Sequence, residues 1–575
     1  MHAMHDARVI MQRGRRWAVT PAAEPLLADG WPVDDPDRLA LVKRGRRRSV
    51  HRLESGGRAF YVKTHERTGL VDRLRVRLGL GPGRREWEAL VAARDAGLAV
   101  PEPVAVSLSA PETLITEAVP DGRRLDEYLF ARYYPPGPDD PPYPGARPPE
   151  LVAVWRRRRT PAGDTIDPRA LAYLVADLVA RLDEADLYLP DLHPGNLLLA
   201  GEAGRWRLVP VDLAEAVRPA PPEAVLQHLV RLEHFFEPIA SAAERLRCLA
   251  RLRALAPDAP DARAVARATA IYRRRFYPGR DRRTRRRSKY FQPVAAGPWR
   301  GWATGDWAEA VEAMLRANPD LAPPAGAEAL KDGRSAGVWT VAAPDGRELV
   351  LKRDRRAGAR GGAGLGRPTR GMAGFRRGHM LLVRGIATAR PAAAVHRRRG
   401  GKVADAVLVT ERVAGAQPLA EWLQAGPAPA ARRHVTWALA RMLRRLHDAG
   451  LAHRDLKAPN ILVAPADDPR PKVVLVDLDG LRRPVHVSAR RRGRDLMRLA
   501  VSLEEWGVAR RTDRLRFLRT YLGRPGAMPA ITVRGRARGR TAPARRLRRW
   551  WRQIARAAQR KRDALRRRYG NVERL

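Results

Sequence analysis

The sequence predicts an α+β protein in which a small β-rich lobe followed by a helical lobe occurs twice in tandem. Three observations predict it. Two distant stretches share the form Asp-Leu-x-x-x-Asn: "LPDLHPGN" at 189–196 and "HRDLKAPN" at 453–460. Four further pairs of segments recur around them in the same order, which marks an internal duplication of a unit of about 270 residues. Each copy also passes from alternating strand patterns to amphipathic helices at matching places.

The elements follow in chain order. "GGRAFYVK", ending at Lys63, parallels "GRELVLK", ending at Lys352; each alternates as a half-buried strand does. A helical stretch comes next, then a Gly and a Pro leading into a strand, in "AARDAGLAVPEPVAV" (92–106) and "LLVRGIATARPAAAV" (381–395). "LITEAVPDGRRLDEYL" (114–129) matches "LVTERVAGAQPLAEWL" (408–423) without a gap, a strand ending in Thr-Glu and then an amphipathic helix. The Asp-Leu-x-x-x-Asn loop lies between apolar strands, and "RLVPVDLAEA" (207–216) parallels "KVVLVDLDGL" (472–481). A helical remainder closes each copy. The expected parts are an N-terminal extension over 1–37, a first unit over 38–285 with a Pro-rich insert at 131–163, a second unit over 286–535, and a basic amphipathic helix over 536–575.

Composition narrows the class. The chain has 575 residues, 45% of them hydrophobic, enough for more than one packed core. Its single cysteine, Cys248, excludes an internal disulfide framework and a cysteine-based zinc cluster, and fits a reducing cytoplasm. The N-terminus lacks the apolar run of a secretory signal. No uninterrupted apolar run is long enough for a transmembrane helix, so the expectation is a protein in solution or on a membrane surface. The formal net charge is +48, carried mostly by arginine. A coding bias toward arginine and a polyanionic partner both account for it.

The spacing of the polar residues suggests a chemistry. An Asp on a loop can accept the proton of a substrate hydroxyl. An Asn five residues later, and an Asp ending the following strand, can hold a metal across the phosphates of a nucleotide. A Lys on an early strand can neutralise those phosphates. Phosphoryl transfer asks a protein for positioning and charge compensation more than for covalent help, and these four groups provide both.

Here the sequence resembles the protein-kinase-like superfamily and, more narrowly, a tandem member of the bacterial lipopolysaccharide kinase (Kdo/WaaP) family. The residues that carry the resemblance are "VTERVAG", "LHDAGLAHRDLKAPNILV" and "VVLVDLDGLRRP" in the second unit, and "ITEAVPDG" and "DLHPGNLLL" in the first. The resemblance implies a bilobal kinase-like fold in each unit, with ATP and Mg²⁺ as cofactors. In the second unit it implies Asp455 as catalytic base, Lys457 near the γ-phosphate, Asn460 and Asp477 as metal ligands, and Lys352 on the α and β phosphates. His453 would brace the loop, and the adenine-binding hinge would run by Glu411 and Val413. In the first unit the matching residues are Asp191 as base, Asn196 and Asp212 for metal, Lys63 for phosphate, and a hinge near Glu117 to Val119.

Both units depart from the family pattern. In the first, Leu189 and Pro190 stand in the places of His453 and Arg454, and no Gly follows Asp212. This unit keeps a carboxylate for its lysine, Glu86 or Glu88 in "GRREWEAL". The second has no Glu between Arg353 and Val409, so Lys352 must be oriented otherwise. Neither glycine-rich loop is rich: Gly45 stands alone in "RGRRRSV", and "DGRSAGVW" has Gly333 and Gly337. Asp479 reads equally as an exposed carboxylate or a ligand. His447 and His379 read as packed or solvated, and Cys248 as a core residue.

The function the resemblance implies is ATP-dependent phosphorylation of a sugar hydroxyl on a lipid-linked saccharide, such as the Kdo or heptose of lipopolysaccharide core. The expected setting is cytoplasmic, peripheral on the inner face of the cytoplasmic membrane. The partners would be an acidic glycolipid and an anionic membrane surface, with no specific nucleic acid. A protein Ser/Thr or small-molecule kinase, and a nucleotide-binding pseudokinase scaffold, remain alternatives. The tail at 544–570 places Leu547, Trp551, Ile554, Ala558 and Leu565 on one helical face opposite a cationic one. That suits an interfacial membrane helix and a helix packed on the second unit equally.

Overall fold

The computed structural model describes the chain apart from residues 1–6, 46–47, 67–68, 70–73, 75, 135–165, 203–204, 324–328, 333–335, 344–345, 355–367, 401, 509, 524–540 and 570–575. Gly333 and nearly all of the Pro-rich insert therefore lie outside the described residues. The chain divides into two compact units, drawn mainly from the residues up to Tyr272 and from Arg273 onward.

The first unit opens with β1 (Arg8–Gln12), β2 (Arg15–Val19), β3 (Ala40–Arg44), β4 (Arg48–Ser55) and β5 (Arg58–His65). The helix Pro82–Asp95 follows, then β6 (Pro103–Ser107) and β7 (Glu112–Glu117). These seven strands form one sheet in the order β1-β2-β6-β7-β5-β4-β3. β5 buries Phe60 and Val62. Alternation then sends Lys63 to the opposite face. The helix start is tied to the sheet by Glu112, whose carboxylate accepts the N–H groups of Gly83 at 2.8 Å and Arg84 at 2.9 Å. The helical lobe carries a short ribbon of β8 (Arg123–Arg124), β9 (Leu197–Ala200) and β10 (Arg207–Pro210). Around it stand the helices Leu125–Tyr133, Pro168–Glu184, Ala224–Phe236 and Ala242–Leu255.

The second unit repeats this sheet strand for strand. β11 (Phe291–Ala296), β12 (Trp299–Thr304), β13 (Ala329–Asp332), β14 (Ala336–Ala342), β15 (Glu348–Asp354), β16 (Pro391–Arg399) and β17 (Lys402–Glu411) run in the order β11-β12-β16-β17-β15-β14-β13. Leu349 and Leu351 enter the core and Lys352 takes the other face. The helix Arg370–Val383 stands where Pro82–Asp95 stands in the first unit. The helical lobe holds β18 (Gln417–Pro418), β19 (Ala452–His453), β20 (Ile461–Ala464), β21 (Lys472–Leu475) and β22 (Leu481–Arg482). Its core is built from Leu439, Leu443, Leu446, Ile461, Leu496 and Leu499.

Two boundaries differ from the sequence reading. Residues 8–19, set apart there as an extension, are strands of the first sheet: Trp17 pairs with Ser107 and Val19 with Ala105. They close the core with Trp17 and Trp31, both fully buried. The C-terminal helix, Thr541–Tyr569, is packed within the second unit, with Trp550, Ile554 and Ala558 buried. Trp550 lies against Tyr521, ring centroids 6.1 Å apart. The apolar stripe is thus covered by protein; the side chain of Leu565 lies outside the described residues. Among the described residues no helix is long and apolar enough to cross a membrane.

Candidate active site

In the second unit, Lys352 leaves β15 and reaches Asp477, which follows β21. Its ammonium lies 2.6 Å from Asp477 Oδ1 and 3.2 Å from Asp479 Oδ2. Burial alone would lower the lysine's pKa, but Asp479 and Asp477 outweigh it and hold the group above its ordinary value. Asp477 has φ +53, a left-handed backbone that costs an L-residue about 1–2 kcal/mol. Its carbonyl oxygen lies 3.2 Å from His453 Nε2. His453 is fully buried and its pKa is pushed down, chiefly by burial, so a neutral ring braces the loop as the resemblance implied.

The loop carrying Asp455 is held from three sides. Asn460 donates its side-chain N–H to Asp455 O at 2.9 Å, and Val476 N donates to Asn460 O at 2.9 Å. Arg454 N donates to Gly480 O at 2.8 Å. A Cβ at Gly480 would come within 2.8 Å of Asp455 N, so this close approach requires glycine. From beneath, buried Asp495 accepts the His453 N–H at 2.8 Å, and its carboxylate also meets His447 Nε2 at 3.3 Å and Arg498 at 3.0 Å. The Asp455 side chain is half exposed, with Lys457 Nζ 3.3 Å from its Oδ1. An open carboxylate on a well-braced loop, beside an exposed cation, suits a base that meets a hydroxyl from outside.

The first unit reproduces most of this. Asn196 donates to Asp191 O at 3.1 Å and to Asp191 Oδ2 at 3.2 Å, and Val211 N donates to Asn196 O at 2.9 Å. His193 stands in the place of Lys457, with Nε2 3.6 Å from Asp191 Oδ1. That contact holds the Asp191 carboxyl below its ordinary range. Asp212, at φ +65, meets Lys63 Nζ at 2.8 Å, and Lys63 also meets Glu86 at 2.5 Å. Glu86 is thus the lysine's partner; Glu88 pairs with Arg84 instead. With no Gly after Asp212, the chain closes through backbone bonds between Tyr188 and Val217 at 3.0 and 2.9 Å.

The two helices beside the lysines differ at the position of the lysine's carboxylate partner. Both end in a left-handed glycine, Gly97 and Gly385, with matching bonds from Leu98 N to Ala93 O and from Ile386 N to Leu381 O. This register puts Gly374 where Glu86 stands. The second helix instead brings Arg370 and Arg377 within 3.9 Å of Asp479. Asp479 therefore takes up the orienting role the helix lacks.

Of the residues expected at a hinge, Glu117 and Glu411 end β7 and β17, and Val119 and Val413 follow them. The backbone N–H of Glu411 donates to Arg390 O at 2.8 Å. Its carboxylate accepts Trp307 Nε1 at 2.6 Å and pairs with buried Arg390 at 2.5 Å. In the first unit Ala118 N is bonded to Ala59 O at 2.8 Å, and Val119 O accepts Gly122 N at 3.1 Å. Gly337 lies on β14 opposite Arg353, at the edge of the glycine-poor loop.

Known proteins resemble this chain in sequence. The family model of the lipopolysaccharide kinase (Kdo/WaaP) family matches residues 363–521, which include Asp455, Asn460, Asp477 and Asp495. The chain is 36% identical to the lipopolysaccharide core heptose(I) kinase WaaP of Pseudomonas aeruginosa over 127 residues, 20% of this chain and 46% of that kinase. It is 36% identical to a 3-deoxy-D-manno-octulosonic acid kinase of Xanthomonas campestris pv. campestris over 187 residues, 31% of this chain and 70% of that kinase. The chain belongs to the lipopolysaccharide kinase (Kdo/WaaP) family. It spans less than half the length of the heptose(I) kinase it matches. Among solved structures, WaaP in complex with acyl carrier protein is 25% identical, covering 40% of this chain and 88% of that one with a TM-score of 0.29, too low to bear on the fold.

Within this Kdo/WaaP family member, two supporting residues escaped the sequence reading. Asp495 lies inside the helix Ala489–Glu505, and nothing local in the sequence marks its role. Its counterpart in the first unit is His228, whose Nε2 accepts the N–H of Leu189 at 2.9 Å. Burial pushes the His228 pKa down to about 3, so the ring is the neutral acceptor this bond needs. His447, read as packed or solvated, is fully buried between Asp495 and Tyr521. His379 is buried against Phe291 and Phe375. Cys248, read as a core residue, is only half-buried, though burial of its thiol pushes the pKa up to about 12.

Proposed function

We propose that the second unit transfers the γ-phosphate of ATP to a sugar hydroxyl of a lipid-linked saccharide, the Kdo or heptose of a lipopolysaccharide core. The observation that carries the reading is the Lys352–Asp477 contact, which joins the β lobe to the loop system of Asp455. Relatives named as heptose(I) and 3-deoxy-D-manno-octulosonic acid kinases support the substrate class.

The donor set fits Mg²⁺. Asn460 turns its amide nitrogen to Asp455 O, which leaves its amide oxygen for a cation, and Asp477 adds a carboxylate. Two hard oxygen ligands, with phosphates and water completing the shell, suit that ion. When bound it neutralises charge on the phosphates. Lys352 positions the α and β phosphates, Asp455 takes the proton of the attacking hydroxyl, and Lys457 stabilises charge on the transferring group. The basic surface draws an acidic glycolipid to this site, on the inner face of an anionic membrane.

The test is transfer of labelled γ-phosphate in parallel to Kdo- or heptose-bearing glycolipid, to free monosaccharide and to protein. Label confined to glycolipid supports the reading. Label on protein Ser or Thr with none on glycolipid overturns it.

A further inference from the structure

The two phosphate-binding sites differ in charge at one register position. Val50 lies opposite Lys63 in the first sheet, and Val338 lies opposite Lys352 in the second. Counting back two residues along each strand places Arg48 and Ala336 at the same point. Arg48 forks onto Asp212, with Nη1 3.1 Å from Oδ1 and Nη2 2.8 Å from Oδ2. Lys63 Nζ shares Oδ1 at 2.8 Å. Both oxygens of the presumed metal ligand are therefore held by protein cations. A divalent cation could use Asp212 only by displacing a bidentate arginine. The first unit thus does not fit the metal that the second fits.

The cations are also placed to do a metal's work. Arg48 opens β4, and its carbonyl oxygen accepts the N–H of Gly45 at 2.8 Å. In a glycine-rich turn, backbone amides would cradle phosphates. Here the sequence is Arg44-Gly45-Arg46-Arg47-Arg48. Lys63 remains oriented by Glu86, at 6% side-chain exposure, so its charge stays fixed whatever happens at Asp212.

We propose that the first unit binds a nucleoside polyphosphate without a divalent cation, Arg48 and Lys63 supplying the positive charge, and serves as a non-transferring nucleotide site. Planar, always-charged guanidinium matches phosphate oxygens in pairs, which a strongly hydrated ion cannot do without losing water. The proposal rests on the reading of both units as kinase-like nucleotide sites.

The experiment is calorimetric titration of the full chain with ADP, once in EDTA and once in Mg²⁺. We expect one site per chain in EDTA and two in Mg²⁺. Lys352→Ala should remove only the Mg²⁺-dependent site, and Lys63→Ala only the one seen in EDTA. Arg48→Ala should weaken the EDTA site by about tenfold or more, the loss of one charge-assisted pair, with Arg48→Lys intermediate. Circular dichroism melts confirm that each variant is folded. Binding of two equivalents that vanish together in EDTA overturns the proposal, as does one Mg²⁺-dependent equivalent lost in Lys352→Ala. An EDTA site that ignores Arg48 and Lys63 overturns it too. Absence of nucleotide under every condition overturns the proposed function itself, a separate outcome.

Discussion

His228 accepts the backbone N–H of Leu189 through Nε2 at 2.9 Å, where the second unit sets the carboxylate of Asp495 against the His453 N–H at 2.8 Å. One fold position is thus filled by a neutral ring in one copy and an anion in the other. The difference has a pH consequence. Burial lowers the folded-state pKa of His228 and His379 to about 3 and of His65 to about 4, against an ordinary 6.5. Above pH 6.5 each is neutral folded or unfolded and contributes no pH dependence. As pH falls below 6.5 the unfolded chain takes up protons that the folded one refuses, so stability drops until the folded pKa is reached. The slope is about 1.4 kcal/mol per pH unit for each such histidine. Melting temperature should therefore hold above pH 7 and fall between pH 6.5 and 4, and His228→Gln should flatten the fall.

Asp495→Ala strips the acceptor from His453 N–H and leaves His447 and Arg498 without it. Breaking a buried charged network of this kind costs about 3–5 kcal/mol. Asp495→Asn keeps the shape and should fold. Because Asp495 acts through the loop backbone and touches no substrate, the expected signature is a lower kcat with an unchanged KM for ATP, read by steady-state kinetics.

Glu86→Ala removes the partner that holds Lys63 within 2.5 Å. The cost to the first unit should be about 3 kcal/mol, as for other buried pairs broken on one side. Glu86→Gln should cost less, since the amide oxygen still accepts. Denaturant unfolding with a probe in each unit checks that the second unit's transition stays put.

Trp550 lies in the core of the second unit, 9% exposed. Trp550→Ala should destabilise that unit by about 3 kcal/mol and leave binding to anionic vesicles unchanged. A helix that used this tryptophan at a membrane surface would show the reverse, lost vesicle binding with stability retained.

What could be read from sequence were the features set by short-range pattern. Alternation along "AFYVK" and "LVLK" placed both lysines, and the five-residue step from Asp to Asn fixed both loops, because each depends on neighbours in the chain. The residues that were missed act over distance. Asp495 lies 42 residues from His453, and Arg48 lies 164 from Asp212. In a chain this rich in arginine, nothing local marks Arg48 from the arginines around it. The hairpin at 8–19 escaped because its partner, β6, comes late in the chain and its copy at 291–304 shares topology more than residues. The missing helix carboxylate was legible in the second unit, but the contact of Asp479 with Lys352 spans 127 residues and was not.

In the proposed function, Asp455 performs the transfer and Asp191 does not. The most direct measurement is incorporation of labelled γ-phosphate, with ATP and Mg²⁺, into a cell-envelope glycolipid extract by wild type, Asp455→Asn and Asp191→Asn. Asp455→Asn should lower the rate by about 10³-fold or more, the scale of losing a catalytic base along with its positioning, while Asp191→Asn stays within about twofold of wild type. Loss of labelling in Asp191→Asn with Asp455→Asn unimpaired would contradict this assignment.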